Sequence, residues 1–143
     1  MVEYIDATNL VVGRLSSYVA KKALEGEEII IVNAENSVIT GTKKFLEKEF
    51  YAKRKRGDVF QGPFYPRMPD RILRRMIRGM LPIKTTRGRM AFKRIKVWIG
   101  IPEYLKDKNF TTIKEFNINN YNTLNYVKLK DISKFLGARI NEE

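Results

Sequence analysis

The sequence contains no cysteine and no histidine. Without cysteine there are no disulfides and no thiolate metal sites. Without histidine the commonest general base near neutral pH is missing, and so is the commonest nitrogen ligand for metals. No apolar stretch approaches the roughly 20 residues that a bilayer-crossing helix needs. The opening run Met1-Val2-Glu3-Tyr4-Ile5-Asp6 lacks the basic-then-apolar pattern of a secretion signal. A soluble, intracellular protein is therefore expected. Acidic residues are also scarce, at 16 against 28 Lys and Arg, for a net charge of +12.

That surplus has an address. Residues 43–96 carry 18 Lys/Arg against four Asp/Glu (Glu47, Glu49, Asp58 and Asp70), and the remainder of the chain is nearly neutral. A concentrated positive segment repels itself unless an acidic partner neutralises it, which points to nucleic acid. At 143 residues with 43% apolar content, one domain with a real core is expected over residues 1–143.

The N-terminal third alternates strand and helix signals. Tyr4-Ile5 and Leu10-Val11-Val12 are short apolar runs, and Leu15, Tyr18, Val19 and Ala23 then fall at helical spacing, with Gly26 as a stop. The unbroken run Ile29-Ile30-Ile31-Val32 predicts a strand covered on both faces, the habit of parallel sheets. Val38-Ile39 follows, then a second helical pattern through Phe45, Leu46 and Phe50. The order is that of an α/β fold. Tyr51 to Asp70 reads as a long basic loop with interleaved Phe60, Phe64 and Tyr65, suited to ordering on a partner.

Asp70 is expected to cap the next helix, which carries the clearest pattern in the chain. Ile72, Leu73, Met76, Ile77, Met80 and Leu81 form an apolar stripe, while Arg71, Arg74, Arg75 and Arg78 fall within about 100° on the other side. Solvated helix faces usually mix signs, because like charges repel. Four arginines without an acidic neighbour suit forked contacts to phosphate oxygens. A membrane-surface helix pairs the same two faces, but here the apolar stripe is needed for the core.

Two further basic stretches flank this helix: Lys53-Arg54-Lys55-Arg56, with Arg67 further along the same loop, and a turn from Lys84 to Arg89. Together they predict one broad electropositive face; Phe64 and Tyr65 suit stacking on unpaired bases, with core packing the expected role of at least one of them. Ile95, Val97 and Ile99 alternate as a strand. Pro102 to Asp107 suggests a short helix, Asn109 to Thr123 an extended surface segment, and Leu129, Ile132, Phe135 and Leu136 a last helix ended by Gly137. Thr40-Gly41-Thr42-Lys43 and Gly13-Arg14-Leu15-Ser16-Ser17 lack the remaining glycines of phosphate-binding loops and read as structural turns. An RNA-processing or nucleotide-using enzyme with a Rossmann-like core is the alternative from another class. Nothing in the sequence supplies catalytic residues, a metal site or a cofactor site.

The run Ile77-Arg78-Gly79-Met80-Leu81-Pro82, then Gly88-Arg89, then Ile95-Lys96-Val97-Trp98-Ile99-Gly100 resembles the signature of the L13 family of large-subunit ribosomal proteins. Lys84-Thr85 and Arg87-Gly88 are similar to its archaeal and eukaryotic branch. So are Asp6-Ala7, Gly13-Arg14-Leu15-Ser16, Val32-Asn33-Ala34-Glu35, Ile39-Thr40-Gly41 and the loop from Gly62-Pro63 to Pro69. The resemblance implies a three-layer α/β/α domain around a four-stranded, mostly parallel sheet. It also implies a non-catalytic role in the cytoplasmic ribosome: binding large-subunit ribosomal RNA, contacting neighbouring ribosomal proteins and helping assembly, with no membrane and no small-molecule substrate. Carried over by position, Arg78, Lys84, Thr85, Arg87, Gly88 and Arg89 would face RNA, while Gly79 and Pro82 shape the helix end. Two positions depart from the pattern: Ile83 stands where relatives often have histidine, and Trp98 is bulkier than the residue expected there.

Overall fold

The structure, a computed structural model, describes residues 1–140; positions 141–143 of the single-domain expectation lie outside the described residues. The elements run β1 (Val2–Asp6), α1 (Val12–Leu24), β2 (Glu28–Val32), β3 (Val38–Thr40), α2 (Lys43–Lys55), α3 (Pro69–Gly79), α4 (Thr86–Lys93), β4 (Ile95–Val97), β5 (Tyr126–Lys128) and α5 (Leu129–Phe135). The α/β reading holds, with a mostly parallel arrangement of strands.

Three strands form a parallel sheet in the order β1-β2-β4. Ile5, Ile31 and Val97 lie side by side, as do Ile29 and Ile95, and all five are buried. Against that face α1 brings Leu15, Val19 and Ala23, and α3 brings Ile72, Leu73 and Ile77, into one continuous core. Branched aliphatics in the strands and apolar residues three and four apart in the helices are what this packing requires. Arg94 closes the end of α1, its guanidinium donating to the Ala23 carbonyl at 3.0 Å. Tyr18 ties α1 to β1, donating from its hydroxyl to Glu3 Oε1 at 2.9 Å.

The single four-stranded sheet expected from the resemblance is replaced by this three-stranded sheet and a separate antiparallel pair, β3 with β5. Asn33, in the left-handed region at φ 55°, starts a tight 3-10 turn after β2. Beyond it β3 meets the first sheet's side of the molecule through one isolated bridge, Val11 to Val38. The reading of Ile29–Val32 as apolar on two covered faces also needs correction. The neighbouring row Tyr4, Ile30 and Lys96 passes from half-buried to exposed, so the second face is only partly closed. The segment after Asn109 helps at its edge. Thr111 accepts from Asp6 N at 3.0 Å and donates its own N–H to the Tyr4 carbonyl at 2.9 Å, and Phe110 meets Tyr4 edge to face. That segment is thus anchored along β1, with Ile118 buried, rather than lying freely extended on the surface.

Two stretches read as loops are helical. α2 continues through Tyr51 to Lys55, because no breaker intervenes before Gly57 and cations in a last turn suit the helix dipole. α4 begins at Thr86, with the Thr85 hydroxyl accepting from Gly88 N at 3.2 Å. Asp70 is not the cap of α3. Pro69, whose fixed φ and missing N–H suit a first helical position, starts the helix after Met68 and places Asp70 one residue inside. The turns at Gly41 and Gly13 serve helix starts, with Thr42 capping α2 through Phe45 N.

Candidate nucleic-acid interface

The arginine stripe appears on α3 as its spacing requires. Ile72, Leu73 and Ile77 are fully buried, whereas Arg71, Arg74 and Arg78 are exposed. Arg75 is half-buried and takes a different part. Its guanidinium lies 5.5 Å from the Tyr65 ring centroid and donates to the Phe64 carbonyl at 3.3 Å. Met80, placed in the apolar stripe by spacing, is 46% exposed because the helix ends at Gly79; Leu81 turns back into the core.

Tyr65 joins the basic end of α2 to this helix. Its ring meets Phe50 edge to face at 6.0 Å, Lys53 Nζ lies 5.9 Å above it, and Arg54 donates to its carbonyl. Burial pushes its phenol pKa up, with Glu49 adding to the effect and Arg75 opposing it. Phe60 and Phe64 remain exposed, so of the two aromatics assigned to base stacking only Phe64 is presented, while Tyr65 is a packing residue. Arg54, Lys55, Arg56 and Arg67 line one open cleft of about 450 Å³. Lys55, Arg56 and Arg67 are exposed, and Lys53 and Arg54 half-buried.

At the C-terminal end of α3, Arg75, Arg78 and Lys84 line a groove of about 510 Å³ together with Leu81 and Ile83. Arg74 lies over the Phe92 ring at 4.4 Å and joins α3 to α4, whose first turn exposes Arg87 and Arg89. Thr85 and Gly88, which the resemblance places facing RNA, also have structural duties. The Thr85 hydroxyl donates to the Pro82 carbonyl at 2.8 Å besides capping the helix. Gly88 is buried, and a β-carbon there would sit 2.0 Å from the Pro82 oxygen.

These contacts chain the basic groups from α2 through Tyr65 and α3 to α4. Among the described residues, one of the candidate cations makes an ion pair, Lys53 with Glu49 at 3.3 Å. The rest have no carboxylate of the described residues within salt-bridge distance, which leaves their charge for an external anion. Lys93 and Lys96, exposed beside Arg71 and Arg74, enlarge the positive surface beyond the residues assigned from sequence. Their signal was present: Lys96 alternates with the buried Ile95 and Val97, and Lys93 lies one helical turn after Arg89.

The model of the family described as Ribosomal protein L13 matches residues 1–104. The chain belongs to the ribosomal protein L13 family. The large ribosomal subunit protein uL13 of Methanopyrus kandleri is 47% identical over 138 residues, spanning 95% of this chain and 87% of that protein. Those of Picrophilus torridus and Methanocaldococcus jannaschii are each 48% identical, over 134 and 139 residues, and cover 94% of this chain and 96% and 97% of their own lengths. For an L13-family chain, the signature from Ile77 to Gly100 is thus the stretch that forms the end of α3, α4 and β4.

Proposed function

We propose that this protein is a structural constituent of the large ribosomal subunit in the cytoplasm, acting as one domain that binds large-subunit ribosomal RNA and supports subunit assembly. The observation that carries the reading is the run of cations on α3 and its flanks: Arg54, Arg74 and Arg75 are held by aromatic or carbonyl contacts, and among the described residues only Lys53 of this run is paired with a carboxylate. Arg71, Arg74, Arg78, Arg67, Arg56, Lys55, Lys84, Arg87 and Arg89 contact phosphates, while Arg75, Arg54 and Lys53 hold the surface in shape and contribute field. Thr85 and Gly88 act by fixing the turn. Phosphate contacts of this kind position a protein on folded RNA and make binding strongly salt-dependent. Neighbouring ribosomal proteins are the other partners, and no catalytic step, cofactor or membrane is invoked; among the described residues no helix is long and apolar enough to cross a bilayer.

The relatives named large ribosomal subunit protein uL13, matched over nearly the whole chain, support the ribosomal part of the proposal. Co-sedimentation tests it. The purified protein should travel with large subunits depleted of their own copy and stay bound at moderate salt. Failure to associate, or reproducible RNA cleavage or nucleotide turnover by pure protein, would speak for the enzyme alternative.

A further inference from the structure

Between the start of α3 and the β4 edge of the sheet lies a cleft of about 370 Å³, whose lining includes Asp70, Arg71, Arg74, Lys93, Lys96 and Trp98. It is within the size range of small-ligand pockets, about 300–1,000 Å³. Its chemistry differs from the rest of the basic surface. Asp70 Oδ1 is buried without a hydrogen-bond partner, and none of the four cations sharing the cleft forms an ion pair with it. A buried carboxylate oxygen is costly to leave unpaired, and it repels phosphate. Trp98 is 37% exposed and held edge to face by Tyr104, at 5.9 Å and 82°. A flat aromatic platform, an unused acceptor and flanking cations together describe a site for a base with its phosphates on either side.

We infer that this cleft takes one unpaired RNA base bearing an exocyclic amine, stacked on Trp98 and donating to Asp70, while Arg71, Arg74, Lys93 and Lys96 hold the adjoining phosphates. The inference rests on the RNA-binding reading and adds base selectivity to it. An amine such as cytosine N4 donates to a carboxylate. Uracil offers a single N–H set between two carbonyls, which the carboxylate repels.

Trp98 is the only tryptophan in the sequence, so its fluorescence reports on this cleft alone. The test uses short single-stranded oligocytidylate, oligouridylate and an abasic strand of equal length. Oligocytidylate should quench Trp98 and bind about tenfold more tightly than oligouridylate, and the abasic strand should bind without quenching. Asp70→Asn should abolish the preference for cytidine while retaining binding. Trp98→Ala should weaken oligocytidylate, and Trp98→Phe should restore it. Salt-dependent binding with unchanged fluorescence, or equal affinity for the two pyrimidine strands, overturns the base site and leaves the RNA-binding reading standing. Absence of binding by all three strands and by ribosomal RNA overturns both.

Discussion

The Arg74 guanidinium stacks 4.4 Å from the centroid of the Phe92 ring, so the arginine helix and the helix after it are joined by a residue that also faces solvent. Contacts of this kind, a cation over an aromatic face, are worth about 0.5–1 kcal/mol at exposed sites. More important here, they orient the charge without neutralising it. A carboxylate in the place of Phe92 would fix Arg74 equally well and cancel the charge that the proposed RNA contact uses.

The same logic makes Tyr65 a test of how the two halves of the surface are held together. Tyr65→Phe keeps the ring that packs on Phe50 and lies under Lys53 and Arg75, and should leave stability and RNA affinity nearly unchanged. Tyr65→Ala should destabilise the fold by about 3 kcal/mol and weaken RNA binding beyond the loss of one contact. Urea unfolding and filter binding on the two variants measure the difference.

The turn before α4 offers a sharper contrast. Thr85→Ala removes a cap and should cost about 1 kcal/mol. Gly88→Ala drives a β-carbon to 2.0 Å from the Pro82 oxygen and 2.3 Å from its carbon, both backbone atoms. That clash forces the turn to move, for a cost of about 3 kcal/mol. Thermal unfolding should therefore rank the glycine variant well below the threonine one, and the reverse order would remove the packing role given to Gly88.

Tyr18 sets an alkaline limit. Its pKa is pushed up to about 12 from 10.0, first by burial, then by the hydrogen bond to Glu3 and the charges of Glu3, Glu27 and Glu25. In the unfolded chain the phenol ionises near its ordinary value, while the folded protein still holds the proton. The contribution is complete below pH 10 and is lost as pH rises through 12. Tyr18→Phe cannot ionise, so its stability should fall less steeply than that of the parent across this window. Parallel slopes in urea melts at stepped pH would contradict it.

How far the sequence could be read depended on whether a pattern was local. The stripe of α3 is complete within one helix, and Arg71, Arg74 and Arg78 emerged where their spacing put them. The charge runs Lys53–Arg56 and Lys84–Arg89 concealed helical turns, since neither carries enough apolar residues to show a period. The pairing of β3 with β5 joins segments more than 80 residues apart, such as Val38 and Lys128, and no short-range signal announces it. The resemblance places Gly88 and Thr85 facing RNA, but spacing does not reveal that Pro82 lies against both. The cleft at Asp70 and Trp98 likewise needs α3 and β4 brought together by the core.

The measurement closest to the central claim is the salt dependence of ribosomal RNA binding by the parent protein and by the triple variant Arg71→Gln, Arg74→Gln, Arg78→Gln. All three side chains are exposed, so the variant should stay folded, unfolding slightly below the parent's temperature because Arg74 loses its contact with Phe92. Each lost phosphate contact should lower the slope of log affinity against log salt by about 0.9 for duplex-like RNA and about 0.7 for single strands. A slope reduced by about 2 to 3 is expected, with a marked fall in affinity at low salt. A folded variant that binds with the parent's slope would show that these arginines do not meet the phosphates.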